Sequence, residues 1–179
     1  MDKVLLKQKI KETVIDGSEE ELFNKAIQCS LRVGKSETSP LPDYLNLVLT
    51  CEELSELQQA LLSAHRDYEN IAEEIADVRY CIHLVKEIFN IEYVIDETKL
   101  NSFSNVDQYL CLKLAILQQT LTKAIRGKDV SEKITRQVME VESLLTVLCT
   151  EFKIDKEIIK KIMKIKCIRC LERSKHNII

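Results

Sequence analysis

The chain has 179 residues, of which 45% are hydrophobic and 31% charged, and its formal net charge is −3 at neutral pH. This length suffices for a domain with a buried core, and the charge gives no reason to expect nucleic acid or another polyanion as a partner. The three glycines and two prolines provide little turn chemistry for a β protein, so the composition favours an all-α fold.

The start of the chain, its hydropathy and its cysteines predict a cytoplasmic protein with no membrane span. The opening MDKVLLKQKIKE is too charged for a secretory signal, and no apolar run approaches the roughly 18 residues of a membrane helix. The seven cysteines follow no disulfide framework, so reduced thiols are expected. Cys167 and Cys170 have the spacing of half a zinc site, but no second pair lies near them.

Apolar periodicity divides the first part of the chain into helices. Ser18 and Glu21 form a capping box that opens one of them. A stretch rich in proline and small polar residues, 34–42, is the clearest loop. The predicted helices before the polar break at 101–105 span residues 2–14, 18–31, 43–64, 69–89 and 93–99.

Two acidic clusters lie on the two longest of these helices. Glu53 and Glu56 share a helical face because they are three residues apart, and Glu74 and Asp77 share one for the same reason. Suppose that the helices form an antiparallel hairpin that turns at 65–68. Glu53 and Asp77 are equally distant from position 65, and so are Glu56 and Glu74, so each acid would lie level with its counterpart on the other helix. Four carboxylates would then meet in a small volume.

An acidic cluster on a helix is more often a solvated face than a site. Here the helical wheel places all four acids at or within the apolar stripes of their helices, whereas Glu52 and Glu73 point away. Acids turned towards a core repel one another and lose hydration unless a cation lies between them. Hard oxygen ligands suit Mg²⁺, with Mn²⁺ as a possible substitute, so the pattern predicts a metal site.

These clusters resemble the E-E-x-x-E … E-x-x-D signature of the MazG-like family of all-α nucleoside triphosphate pyrophosphohydrolases, through EELSEL and NIAEEIADV. The similarity extends over roughly the first half of the chain, from FNKAIQ at 23–28 to KLN at 99–101. It implies that Glu53, Glu56, Glu74 and Asp77 bind Mg²⁺ and form the catalytic site. It also implies conversion of an NTP or dNTP to a nucleoside monophosphate and pyrophosphate, with a water held by one of the acids attacking phosphorus.

Candidate substrate-binding residues come from two places. Lys99 and Asn101 loosely match a segment that contacts phosphate or sugar in the family, although Ser102 stands where related sequences often carry a basic residue. Lys166 and Arg169 belong to a strongly basic last helix, which is usually a solvated face. We expect these two residues to lean over the site and to substitute for the missing basic residue.

After the polar break the chain repeats its own pattern, which predicts an internal duplication within a single domain, 1–179. The repeats span 44–103 and 109–173. EELSELQQAL at 52–61 aligns with LKLAILQQTL at 112–121, and EEIADV at 73–78 aligns with RQVMEV at 136–141. EIFNI at 87–91 matches EFKI at 151–154 if one residue is dropped or shifted.

The second copy has lost the acid pattern, because Lys113, Ile116, Gln137 and Glu140 take the four places. No equivalent metal cluster is expected there. The predicted fold is therefore a four-helix-bundle core made of two tandem helical hairpins, a pseudo-dimer with flanking helices. The chain would act as a monomeric pseudo-dimer or as a homodimer.

Two other functions remain open from the sequence. A chain with one decayed half could be a non-catalytic nucleotide-binding or protein-interaction module, although the intact acid quartet argues against loss of chemistry. An all-α dUTP diphosphatase would share the metal chemistry and differ in base choice, which no residue of this sequence identifies.

Overall fold

The computed structural model describes residues 18–33, 43–93, 95, 100 and 104–175. These residues form an all-helical structure, as the composition predicted. The helices are α1 (Glu19–Val33), α2 (Tyr44–Leu62), α3 (Tyr68–Ile88), α4 (Val106–Ile125), α5 (Ser131–Glu151) and α6 (Lys156–Lys175). The helix predicted at 2–14 and the loop predicted at 34–42 lie outside the described residues. So does most of the short helix predicted at 93–99, of which Tyr93 and Ile95 are described and are not helical.

Side-chain caps fix where two of the helices begin. The Glu21 N–H donates to the Ser18 hydroxyl across 3.2 Å, so the predicted capping interaction opens α1. The Asp67 carboxylate accepts from the N–H groups of Glu69 and Asn70 at the start of α3. The first hairpin therefore turns within the segment that its symmetry about position 65 predicted.

The two hairpins, α2–α3 and α4–α5, share one hydrophobic core. α2 packs closely on α4, and α3 contacts α5, while α1 and α6 pack together and α6 also packs along α3. Leu54 and Ile75 of the first hairpin are fully buried in the same cluster as Leu114 and Val138 of the second. Neither hairpin has a complete core of its own, as a fused bundle requires.

A reciprocal pair of hydrogen bonds joins α2 to α4. The Gln58 amide donates to the Cys111 carbonyl across 2.7 Å, and the Gln118 amide donates to the Cys51 carbonyl across the same distance. Each residue of one bond is 60 positions from its counterpart in the other. Reciprocal contacts of this kind are what a two-fold axis produces, so α2 and α4 pack as pseudo-symmetric partners.

The second helix of each hairpin ends in the same cap. The Ile91 N–H donates to the carbonyl five residues before it across 2.8 Å, and the Ile154 N–H does the same across 2.9 Å. The residues before them, Asn90 and Lys153, have φ values of 50° and 53°. This is the Schellman arrangement, which satisfies the last helical carbonyls.

The alignment of these two helix ends from sequence was wrong in one respect. The match between 87–91 and 151–154 needed one residue to be dropped or shifted. In the structure Phe89 and Phe152 both occupy the C-cap position, so the offset of 63 that relates 73–78 to 136–141 continues unbroken. A gap in the alignment would pair the left-handed Asn90 with a residue other than the left-handed Lys153. Because both helices end in the same cap, the alignment has no gap here.

Every helix that the structure describes falls short of the length and apolar character needed to cross a membrane.

Candidate metal centre and the adjoining cleft

Three of the four predicted acids converge where α2 faces α3. One carboxylate oxygen from each of Glu53, Glu56 and Glu74 lies within 4.8 Å of the other two. The fully buried neighbours Leu54 and Ile75 fix the rotation of the two helices and turn these acids towards each other. This spacing is close to the span of the oxygens around one hard divalent cation.

The electrostatics of this cluster favour a cation. Burial, followed by the neighbouring acids, raises the pKa of Glu53 to about 7, although Lys166 opposes the shift. Burial and Glu56 raise the pKa of Glu74 as well. The Glu74 Oε2 atom is buried and accepts no hydrogen bond from the described residues. An oxygen-only donor set with an unsatisfied buried oxygen therefore fits Mg²⁺ or Mn²⁺.

Asp77, the fourth predicted acid, does not belong to this group of converging carboxylates. Its carboxylate forms an ion pair with Lys166 of α6, and the two side chains are 21% and 24% exposed. The sequence placed Asp77 level with Glu53 but could not reveal a lysine that competes for the carboxylate. Glu73 also differs from expectation, since it is half-buried instead of exposed, whereas Glu52 is exposed.

The basic residues predicted to lean over the site do border it. Lys166 and Arg169 line the same cleft as Glu53 and Asp77. Burial lowers the pKa of Lys166, while Glu53 and Glu74 act in the opposite direction. Lys99 and Asn101, the other predicted substrate contacts, lie outside the described residues.

The cleft continues beyond the carboxylates between α1, α2 and α6. Its cavity has a volume of about 620 Å³. On one wall the Asn46 side chain donates to the Ser30 carbonyl across 3.2 Å, and the hydroxyls of Ser30 and Tyr80 are 2.8 Å apart. The other lining residues include Cys29, Val33, Leu45, Leu49, Cys170 and Arg173.

Sequence reasoning missed these cleft residues. Asn46 is 5% exposed and lies beside the fully buried Leu47. A polar residue on the apolar stripe of α2 is the feature of the sequence that could have identified Asn46 as part of the cleft. Ser30 gave no comparable signal, because its role depends on how α1 packs against α3.

The second hairpin replaces the acid cluster with an ion pair. Lys113 Nζ lies 2.9 Å from Glu140 Oε2, and these residues align with Glu53 and Asp77. Hydrogen bonding to Glu140 is the main cause that raises the pKa of Lys113. Among the described residues, the second hairpin brings no group of three metal-ligating side chains together.

Comparisons with family models, with curated proteins and with solved structures found no match to this chain. The resemblance to the MazG-like family therefore stays a prediction that rests on the four acids and their spacing. The chemistry of the cleft carries the functional assignment, because a helical bundle by itself implies none.

Proposed function

We propose that this protein is a Mg²⁺-dependent nucleoside triphosphate pyrophosphohydrolase that converts an NTP or dNTP to a nucleoside monophosphate and pyrophosphate. One observation carries the proposal: Glu74, which has an unsatisfied buried oxygen, converges with Glu53 and Glu56, and these last two share a cleft with Lys166 and Arg169. Acids alone would fit a cation. Acids that line one cleft together with basic side chains fit a cation together with a polyphosphate.

Glu53, Glu56 and Glu74 are the residues that would hold the metal. When bound, Mg²⁺ neutralises phosphate charge and the negative charge that develops on the leaving group. The carboxylates alone would repel a triphosphate, so the cation also explains how an acidic cluster can face such a substrate.

Lys166 and Arg169 would orient the phosphate chain. They are three residues apart on α6 and thus share a face of the helix. A lysine ammonium supplies a compact positive charge, and an arginine guanidinium can bind phosphate oxygens in a bidentate manner. Their position in the same cleft as the carboxylates would let a triphosphate contact both sets of charges.

The extension of the cleft between α1 and α2 would accept the nucleoside. The whole cleft, carboxylate end included, has a volume of about 620 Å³, which lies in the range of small-molecule pockets. Leu45 and Leu49 offer an apolar surface, and Asn46 and Ser30 offer hydrogen-bonding groups. This combination suits a base or sugar, and it leaves the preferred base open.

In the proposed reaction, a water held by one of the carboxylates attacks the α-phosphorus and transfers a proton to that carboxylate. The bond between that phosphorus and the oxygen that leads to the β-phosphate breaks, and pyrophosphate leaves with the electron pair. The basic side chains hold the departing group, so positioning and electrostatic stabilisation supply the catalysis.

The test is an activity screen over canonical ribonucleoside and deoxynucleoside triphosphates with Mg²⁺ or Mn²⁺, with products separated by chromatography. We expect nucleoside monophosphate and pyrophosphate, loss of activity with a chelator, and loss in Glu53→Gln. Lys161→Gln, at an exposed position of α6, is the matched control and should retain activity.

Four outcomes would change the assignment. A nucleoside diphosphate and inorganic phosphate as products would contradict the proposed reaction. Turnover that survives the chelator would contradict the proposed metal dependence. Nucleotide binding without turnover by any triphosphate would indicate a binding module. A strict preference for dUTP would indicate an all-α dUTP diphosphatase.

A further inference from the structure

Lys166 neutralises the one carboxylate of the predicted quartet that does not join the other three. Its ammonium pairs with Asp77, while Glu53, Glu56 and Glu74 converge without Asp77. The lysine side chain is 24% exposed, so its charge is held largely inside the cleft. The site thus contains three carboxylates that converge, beside a fourth that is paired with a lysine whose charge also acts on Glu53 and Glu74.

The second hairpin repeats this arrangement with a different lysine. Glu140, which aligns with Asp77, pairs with Lys113 across 2.9 Å. Lys113 comes from α4, whereas Lys166 comes from α6. An acid at this place in either hairpin therefore has a lysine ammonium of the same chain as its partner.

Phosphoryl-transfer sites commonly use two metal ions about 3.5–4 Å apart, of which the second stabilises the leaving group. A second divalent ion in this cleft would need the Asp77 carboxylate, since the other three acids surround the first. Lys166 holds that carboxylate. An ammonium has three N–H donors, so one bond to Asp77 leaves donors for phosphate oxygens.

We propose that the Lys166 ammonium takes the place of a second metal ion, and that the site binds a single divalent cation per chain. Asp77 anchors this lysine and is not a metal ligand. The inference rests on the metal site of the proposed function, and it adds that Lys166 is a built-in cation that positions the pyrophosphate half of the substrate. The rival account is that Lys166 yields Asp77 to a second metal ion.

Counting bound Mn²⁺ on the full chain without nucleotide separates the two accounts. Calorimetric titration, checked by the electron paramagnetic resonance of free Mn²⁺, should give about one ion per chain for the wild type. Lys166→Met should release Asp77 and gain a second ion, and adding Asp77→Asn to that variant should remove it. Lys161→Met, an exposed lysine on the same helix, should bind as the wild type does.

Asp77→Asn alone provides a test that does not depend on the folding of the lysine variant. It should keep the single ion with an affinity within about tenfold of the wild type, because Asp77 is not a ligand of that ion. Two ions on the wild type, no gain in Lys166→Met, or loss of the ion in Asp77→Asn would overturn the inference and leave the proposed function standing. No Mn²⁺ binding by the wild type would refute the metal site itself, and the proposed function with it.

Discussion

Residues 74 and 137 show at atomic scale how the two hairpins diverged. The Glu74 Oε2 and Gln137 Oε1 atoms are both buried and accept no hydrogen bond among the described residues. The two positions align at the common offset of 63. Glutamine has nearly the shape of glutamate without its charge, so at this one position the second hairpin keeps the shape of the side chain and loses its attraction for a cation.

The pKa of Glu53 predicts how the metal-free protein responds to pH. Burial raises this pKa from its ordinary 4.5 to about 7, so between these values the folded chain binds more protons than the unfolded chain. Stability from this group is therefore present at pH 4.5 and below and is lost as the pH rises towards 7. We expect the melting temperature of wild type relative to Glu53→Gln to fall across this window in the presence of a chelator.

The control for this experiment is the same pair of proteins with saturating Mg²⁺. A bound cation should favour the ionised carboxylate and thereby reduce the pH dependence of the wild type. Parallel pH profiles for wild type and Glu53→Gln without metal would contradict the burial of Glu53 described here.

The sequence predicted the positions of the three convergent acids because helical periodicity decides which residues share a face. It did not predict the partner of Asp77. Lys166 lies on α6, far along the chain, and its contact depends on how α6 crosses α3. The basic run of the last helix led to the expectation that Lys166 leans over the site, but no local pattern showed which carboxylate it pairs with.

At the scale of helices, the reciprocal glutamine bonds between α2 and α4 predict a measurable symmetry. Gln58→Ala and Gln118→Ala should each destabilise the fold by about 1–2 kcal/mol, since each removes an interhelical hydrogen bond. The loss should be larger for Gln118, because its amide also donates to the Ser55 hydroxyl. Chemical denaturation of the purified variants measures both values.

The neighbouring glutamines serve as matched controls. Gln59 and Gln119 are exposed on the same helices, and their replacement by alanine should change the free energy of unfolding by less than about 0.5 kcal/mol. If Gln59→Ala cost as much as Gln58→Ala, the interhelical bond would not be the cause of the loss.

The helices themselves were largely predictable. The predicted 43–64 and 69–89 differ from the observed α2 and α3 by at most two residues at either end, since long apolar stripes leave few alternatives. The caps that end the helices at 88 and 151 were harder to predict. Asn90 and Lys153 adopt the left-handed conformation there, and the residue that usually marks this position in a sequence is glycine. Without glycine the two caps were not recognised as equivalent.

At the scale of the whole molecule, the pseudo-dimer is symmetric in its core and asymmetric in its flanks. The pairing of α2 with α4 follows a two-fold axis, but α1 and α6 pack together, and α6 lies along α3 of the first hairpin. This placement brings Lys166 and Arg169 to the acid cluster. The repeat in the sequence predicted the shared core, whereas the position of the flanking helices follows only from the tertiary packing.

The most direct test of the account compares one acid in each hairpin. Steady-state hydrolysis of the preferred triphosphate should fall by at least about a hundredfold in kcat for Glu74→Gln, because a carboxylate for the metal is lost. Glu140→Gln, at the second hairpin, should stay within a few-fold of wild type, since it breaks only a partly exposed ion pair worth at most about 1 kcal/mol. Equal losses in the two variants, or full activity in Glu74→Gln, would contradict the assignment of the chemistry to the first hairpin.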